Sequence, residues 1–399
     1  MAESSLRDDR SEIARSVEYS SFRSSVPLQH ISVQIGKQTF TWRLFDHGPR
    51  TIKNPIVFLP PVSGTADVWF RQMMPLASLG FRSIALSYPE GIQDIDTFCT
   101  ALAQLCSQLK LKNLHMVGAS LGAFLAQKFA QFTSTQPDQR IRVASLFLIN
   151  GFTDTAVFDL PPPTLLKCSP LFFLRWLLLD NLRADGLHPD IAESTDFMVE
   201  RLEELTRRDL LSRLLLNIKP AYVEPHHITN QGVKVTIMDV NDDCVISDRV
   251  KDDLYKSFPQ AKLAQLKEGG NFPYLARSDE VNIFIKIHLM RFAGTAASAC
   301  DSDSFNATGP ILDEGEEDAW ASVPENSDGE EKSPAHADPM PNPQAAPVAT
   351  NAPEPVASAV AAPAPAVATR PHGKKKRSKQ QRADLVGDAT FDDIDDDAL

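Results

Sequence analysis

One stretch of the chain, residues 113–129, restricts the possible folds more than any other feature. It reads NLHMVGASLGAFLAQKF, an apolar strand that turns directly into an amphipathic helix. Glycines at positions 118 and 122 suit a turn in which the strand and helix backbones approach too closely for side chains. Ser120, between them, would then project from the end of a sheet as a nucleophile does. Because this short pattern also arises by chance, its function depends on whether the rest of the chain contains the acid and the base that a catalytic serine requires.

Apolar strands alternate with helical patterns on both sides of this stretch. The predicted strands cover residues 56–59, 81–87, 143–149, 233–238 and 262–266, and an alternating pattern over residues 31–44 predicts a β-hairpin. This alternation predicts an α/β fold, in which a mostly parallel, twisted sheet carries helices on both faces and right-handed crossovers connect the strands.

The composition divides the chain into five segments. They are a polar, mobile N-terminal arm (1–25), the first part of the α/β core (26–151), a helical cap insertion (152–229), the second part of the core (230–294) and a disordered tail rich in Ala, Pro and acidic residues (295–399). The alternation of strands and helices stops at the cap insertion and resumes after it, which is why the insertion is predicted there.

The net charge of the chain lies entirely in the tail. Residues 301–399 hold 20 acidic and 8 basic side chains, so the first 300 residues hold 32 of each. A neutral folded part gives no electrostatic reason to expect nucleic acid as a partner. The basic run Lys374–Arg377 suggests a nuclear factor as a minor alternative, and a solvated charge run is the favoured interpretation of it. The acidic end Phe391–Leu399 resembles a short docking peptide or a plain solvated terminus.

The targeting and redox features favour a reducing compartment. Five scattered cysteines lack metal-ligand or C-x-x-C spacing, so neither a metal site nor a cofactor is predicted. The N-terminus lacks the apolar run of a secretory signal. The most apolar run, residues 171–179, is interrupted by Arg175 and is too short for a transmembrane segment. A cytosolic protein is therefore expected.

Two residues in later loops are candidates for the partners of Ser120. In hydrolases of this fold, the acid follows the strand at 233–238 and the histidine follows the last strand. Asp242 has the spacing of the acid, although an ordinary loop-capping aspartate remains the alternative. Asn271 stands where the histidine is required, and an amide cannot accept the serine proton. The pair His226-His227, at the end of the cap, is the alternative base.

The remaining requirement is a pair of backbone N–H groups that would stabilise an oxyanion. The strand at 56–59 runs into Pro60-Pro61, which have no N–H, so Val62 or Ser63 must donate together with Leu121. These residues predict a pocket that binds an acyl or phosphate group without turning it over.

The apolar run in the cap offers a second candidate site. Phe172, Phe173 and Trp176 lie on one helical pattern next to charged residues, which is typical of a partner surface. Packing of the same side chains onto the core is the alternative.

Several motifs together resemble the maspardin family of the α/β-hydrolase superfamily over residues 20–294. They are FLPPVSGTAD (58–67), GASLG (118–122), YVEPH (222–226), IMDV (237–240) and GGNFPY (269–274). The resemblance implies a non-catalytic member that is cytosolic and peripherally bound to endosomal and trans-Golgi membranes. It also implies the cytoplasmic tail of the CD4 receptor and an aldehyde dehydrogenase as partners. By position it assigns Ser120 to the nucleophile site, Asp242 to the acid site and Asn271 to the site of the missing histidine.

The leading hypothesis from the sequence is therefore an α/β-hydrolase fold without catalysis, used as a binding or adaptor module in trafficking and receptor regulation, including negative regulation of CD4-dependent T-cell activation. Its rival is an active serine esterase, lipase or thioesterase with a displaced base.

Overall fold

A computed structural model describes residues 10–136, 140–158, 160–182 and 188–300. Eight strands form one sheet in the order β1-β2-β4-β3-β5-β6-β7-β8. The strands are β1 (Gln29–Ile35), β2 (Gln38–His47), β3 (Ile56–Leu59), β4 (Ser83–Ser87), β5 (Asn113–Ala119), β6 (Arg142–Ile149), β7 (Lys234–Val240) and β8 (Lys262–Leu266). The pairs β1–β2 and β2–β4 are antiparallel, and the five remaining pairs of neighbouring strands, from β4–β3 to β7–β8, are parallel.

Thirteen α-helices occur in the described part of the chain. They are α1 (Glu12–Arg15), α2 (Val17–Ser25), α3 (Phe70–Ser78), α4 (Ile95–Gln108), α5 (Leu121–Thr135), α6 (Pro163–Cys168), α7 (Leu171–Leu179), α8 (Pro189–Glu203), α9 (Arg207–Ile218), α10 (Pro225–Thr229), α11 (Asp248–Ser257), α12 (Pro273–Ala276) and α13 (Ser278–Met290). Helices α3, α12 and α13 pack together, and α4, α5 and α10 form another group. The predicted α/β class, with a mostly parallel sheet between helices, is confirmed.

The parallel register brings four strand ends to one edge of the sheet. Leu59 pairs with Gly118, Ala119 with Ile149, and Ile149 with Met238 near the end of β7. All the loops that follow these strands therefore leave from the same edge. Ligand sites of open α/β sheets lie at this carboxyl edge, so the candidate residues converge there.

The prediction of a mobile arm at residues 1–25 is wrong for residues 10–25. Serine side chains cap both short helices: Ser11 Oγ accepts from Ala14 N and Ser16 Oγ accepts from Tyr19 N. Tyr19 and Phe22 are buried against Phe70. The polar composition suggested disorder because the few apolar residues of this segment are buried by contacts with residues distant in sequence, such as Phe70. Residues 1–9 lie outside the described residues.

The predicted tail begins later than expected. Residues 296–300 pack along the amino ends of the strands: His115 Nε2 is 2.6 Å from the carbonyl oxygen of Ala297, and Arg82 N donates to Ala299 O. Cys300 forms an isolated β-bridge with Phe81. Backbone pairing of this kind does not depend on side-chain type, so composition could not reveal it. Residues 301–399, with the basic run and the acidic end, lie outside the described residues.

Helices α6 to α10 occupy the cap segment, defined as residues 152–229. Leu174 of α7 is buried with leucines of α8 and α9 in a cluster of its own. On the opposite side of α7, Phe172 is 74% exposed and Trp176 is 50% exposed. The ring of Phe173 lies against Trp176, with centroids 5.7 Å apart. One side of α7 thus packs and the other carries an exposed aromatic patch, formed by Phe172, Phe173 and Trp176.

In the part of the chain that the structure describes, none of the helices has the length and apolar character that a membrane span requires.

Candidate functional site

Ser120 lies at a strained turn between β5 and α5. Its φ is +50° and its ψ is −113°, a left-handed conformation that costs a non-glycine residue about 1–3 kcal/mol. The turn is held because Ser120 N donates to Ile149 O at 3.0 Å and Ser120 O accepts from Phe124 N at 3.1 Å. The side chain is half-buried, and its hydroxyl has no hydrogen-bond partner among the described residues. The serine is presented at the carboxyl edge as the sequence predicts.

Both glycines of the turn are required by close backbone contacts. A Cβ on Gly118 would lie 2.5 Å from Ala123 N, and a Cβ on Gly122 would lie 2.6 Å from the carbonyl carbon of Leu59. Real Cβ atoms do not approach other atoms so closely. The turn can therefore form only where both side chains are absent.

The loop after β3 presents the N–H groups proposed for an oxyanion hole. Ser63 and Leu121 are buried and Val62 is half-buried. Within the described residues, none of these three backbone N–H groups donates a hydrogen bond. They are thus free to donate to a ligand, which is the requirement for the predicted hole.

A buried arginine of the cap segment binds the carbonyl groups of this loop. Arg213 of α9 is 1% exposed, and its Nη1 donates to the carbonyl oxygens of Val62 and Gly64. The guanidinium lies over the ring of Tyr88, 5.3 Å from the centroid, and Tyr88 in turn donates to Pro60 O. Burial lowers the pKa of Arg213 to about 10, so it stays charged at neutral pH. Sequence patterns missed Arg213 because it looks like one more basic residue on a polar helix.

The acid candidate Asp242 binds backbone. Its carboxylate accepts from Gly269 N at 2.9 Å and from Gly270 N at 2.9 and 3.1 Å. It therefore grips the segment directly before Asn271. The neighbouring carboxylate of Asp239 is buried and accepts from the Tyr255 hydroxyl, and burial raises the pKa of Asp239. Asp242, rather than Asp239, therefore contacts the loop that holds Asn271.

Asn271 links two loops. Its Oδ1 accepts from Val245 N at 2.7 Å, which ties the loop after β8 to the loop after β7. Asn150, at the end of β6, donates from Nδ2 to Gly270 O at 3.1 Å and supports the same loop. The dipeptide Asn150-Gly151 after a strand was visible in the sequence, but its supporting role was not. The Asn271 side chain is thus committed to a structural hydrogen bond.

No histidine of the described residues bonds to Ser120 or Asp242. His115 is buried between Ser145 and Ala297 O, and burial lowers its pKa to about 4. The alternative base His226-His227 lies on α10, which packs on α5. Gln131, which contacts this region, is eleven residues beyond Ser120, or about 16 Å along the helix. The pair is too far away to serve as the base.

A strand, a tight turn around a strained serine and a helix, set at the carboxyl edge of an eight-stranded sheet, define the class of α/β-hydrolase folds. Residues 56–282 match the model of the alpha/beta hydrolase family. An esterase from Thermogutta terrifontis, solved with malate bound, shares this fold with a TM-score of 0.55 at 14% identity, covering 66% of this chain and 98% of that one.

Curated relatives narrow the family further. Maspardin of Homo sapiens is 46% identical over 297 residues, which is 74% of this chain and 94% of the human protein. Maspardin of Danio rerio is 45% identical over 297 residues, with 74% and 93% covered. The chain belongs to the maspardin family of α/β-hydrolases, as the sequence motifs suggested.

Proposed function

We propose that this protein is a catalytically silent α/β-hydrolase fold that acts as a binding or adaptor module. The observation that carries the proposal is the chemistry of Asn271. The position after β8 holds an amide, and that amide is already bonded to Val245 N. A serine hydrolase without its histidine loses on the order of 10⁶ in turnover, so the presented Ser120 has no means of activation.

The setting of this module is endosomal and trans-Golgi trafficking and receptor regulation. This part of the proposal rests on the family resemblance, which implies peripheral association with those membranes. It also implies the cytoplasmic tail of the CD4 receptor and an aldehyde dehydrogenase as protein partners. The neutral folded part and the exposed aromatic patch on α7 favour a protein partner over nucleic acid.

The rival function is an active esterase, lipase or thioesterase, and a fluorophosphonate probe separates the two. We expect the purified protein to label no faster than a Ser120→Ala variant, because no general base among the described residues contacts Ser120. An active serine hydrolase of the same fold serves as the positive control. Rapid, stoichiometric labelling at Ser120 would overturn the silent assignment.

A gain-of-function arm tests whether only the base is missing. The Asn271→His variant places an imidazole in the loop that Asp242 binds, at the carboxyl edge of the sheet where Ser120 also lies. We expect weak hydrolysis of a p-nitrophenyl ester that disappears in the Asn271→His, Ser120→Ala double variant. Activity that persists in the double variant would show that Ser120 is not the nucleophile.

The aromatic patch is the proposed partner surface, and a double variant tests it. Phe172→Ser with Trp176→Ser should weaken binding of the CD4 tail peptide or the aldehyde dehydrogenase by at least about tenfold, since buried aromatic anchors typically contribute more than 1 kcal/mol each. Ile283→Ser is the control, because Ile283 is 57% exposed on α13 and lies outside the patch. Calorimetry gives the affinities.

Unchanged affinity in the double variant would move the partner surface away from α7. Absence of binding by the wild-type protein to either partner would contradict the partner assignment itself, while leaving the labelling result unaffected.

A further inference from the structure

A cluster of two imidazoles and a carboxylate lies where the cap segment returns to the core. Glu224 immediately precedes α10, and His226 and His227 lie within it. One ligand atom from each of the three side chains lies within 4.8 Å of the other two. His227 Nε2 is 3.2 Å from Glu224 Oε2, and the two imidazole rings have centroids 4.1 Å apart.

The carboxylate of this cluster is held in place by α5. Gln131 of α5 donates from Nε2 to Glu224 Oε2 at 2.7 Å, and Glu224 N donates back to Gln131 Oε1 at 3.3 Å. Lys128 donates to the same Gln131 oxygen at 2.9 Å and thereby fixes the amide. Supports of this kind, behind a ligand, orient it and are typical of metal sites.

An ordinary ion pair explains only part of the arrangement. Glu224 and His227 form such a pair, but it leaves His226 unused. Among the described residues, the imidazole of His226 has no hydrogen-bond or ion-pair partner and rests on the ring of His227. A second imidazole beside a His–Glu pair is what a cation with three protein ligands would require.

We propose that Glu224, His226 and His227 bind one Zn²⁺ ion. Imidazole nitrogen and carboxylate oxygen are preferred zinc ligands at about 2.0–2.2 Å, and tetrahedral geometry places them about 3.3–3.6 Å apart. The present separations reach that arrangement by side-chain rotation, because all three side chains are at least partly exposed to solvent. Water completes the fourth position.

The ion would act at a distance from Ser120 and clamp the end of the cap segment. Lys128 of α5 donates to Tyr222 O at 3.0 Å and Val223 N donates to Thr153 O at 2.8 Å, so the chain before Glu224 is already fixed to α5 and to the start of the cap segment. Zinc would link Glu224, just before α10, to His226 and His227 within it. We therefore expect zinc to stabilise the protein without any change at the serine.

Calorimetric titration of the metal-free, full-length protein with ZnCl₂ tests the proposal. We expect one site with a dissociation constant in the micromolar range or tighter. His226→Asn and His227→Asn should each weaken it by at least about 100-fold, since even changes behind a ligand cost 10–100-fold. His188→Asn is the matched control: His188 is also an exposed histidine beside a carboxylate, 3.5 Å from Asp190, and its loss should leave the titration unchanged.

Thermal unfolding gives an independent readout. Zinc should raise the Tm of the wild-type protein and of His188→Asn, but not of the two ligand variants. If either ligand variant fails to fold, Glu224→Gln replaces it, because its amide oxygen can still accept from Gln131. Absence of zinc binding by the wild-type protein would overturn the proposal, as would equal affinity in all variants.

Discussion

Replacing Gly122 with alanine is expected to lower the free energy of unfolding by at least about 4 kcal/mol, an exceptionally large effect for adding one methyl group. The added Cβ would lie 2.6 Å from the carbonyl carbon of Leu59 and 2.8 Å from Pro60 O. Neither can yield easily, because Leu59 is paired with Gly118 and Pro60 O accepts from the Tyr88 hydroxyl. The better helix propensity of alanine, about 1 kcal/mol, does not offset this clash.

Urea unfolding followed by circular dichroism measures the effect, with Gly151→Ala as the control. A Cβ at Gly151 would meet a methyl group of Leu254 at 3.2 Å and Cβ of Ala123 at 3.3 Å. Small side-chain shifts relieve such contacts, so the control should change by no more than about 1 kcal/mol. Similar losses for the two variants would show that the turn at Ser120 is not tightly packed.

The second large effect is expected at Asp67, which joins the N-terminal helices to the cap. Tyr19 donates to Asp67 Oδ2 at 2.5 Å and Arg201 of α8 donates to the same oxygen at 3.2 Å. The side chains of Asp67 and Arg201 are each 5% exposed. Burial, reinforced by Asp67, raises the pKa of Tyr19, which therefore remains a hydroxyl donor.

Asp67→Ala should lower the free energy of unfolding by about 3 kcal/mol, because it leaves a buried arginine and a buried hydroxyl without their shared acceptor. This loss of stability is at the low end for a broken buried ion pair, because Arg201 retains its ion pair with Glu204 at 2.9 Å. Arg23→Ala is the control: Arg23 contacts the same oxygen at 3.3 Å but is 45% exposed, so its removal should cost less than about 1 kcal/mol.

Hydrogen exchange in the same two variants shows which segments loosen. Asp67→Ala should raise exchange in α2 and α8 together, because the carboxylate is the shared acceptor of both helices. Faster exchange confined to α2 would show that the cap is held by its other contacts, such as those of Arg213.

The core and the turn at Ser120 were predictable because their sequence signals are local. Four consecutive apolar residues such as 56–59 indicate a buried parallel strand, and the glycines at 118 and 122 report a close approach within a few residues of Ser120. The N-terminal helices were not predictable in the same way. Their burial depends on Tyr19 meeting Asp67, 48 positions away, and no periodicity within a polar, serine-rich segment encodes such a contact.

The candidate site was predictable in its residues but not in its bonds. Spacing after the strands pointed to Asp242 and Asn271, and both lie in loops at the carboxyl edge. Which group each side chain binds depends on loop conformation. Asp242 accepts hydrogen bonds from Gly269 N and Gly270 N, and Asn271 accepts one from Val245 N. Such bonds depend on the direction of backbone N–H groups, which a sequence pattern does not contain.

The path of residues 296–300 separates two attachment points on the molecule. These residues run along the amino ends of β3, β4 and β5, where Asn54 donates to the carbonyl oxygens of Ala296 and Ser298. Ser120 and the loops around it lie at the carboxyl ends of the same strands. A reporter or tether joined after Cys300 would therefore leave the fold from the end opposite the serine. The protein could therefore bind a ligand at Ser120 and a second molecule attached through that tether at the same time, without steric competition between them.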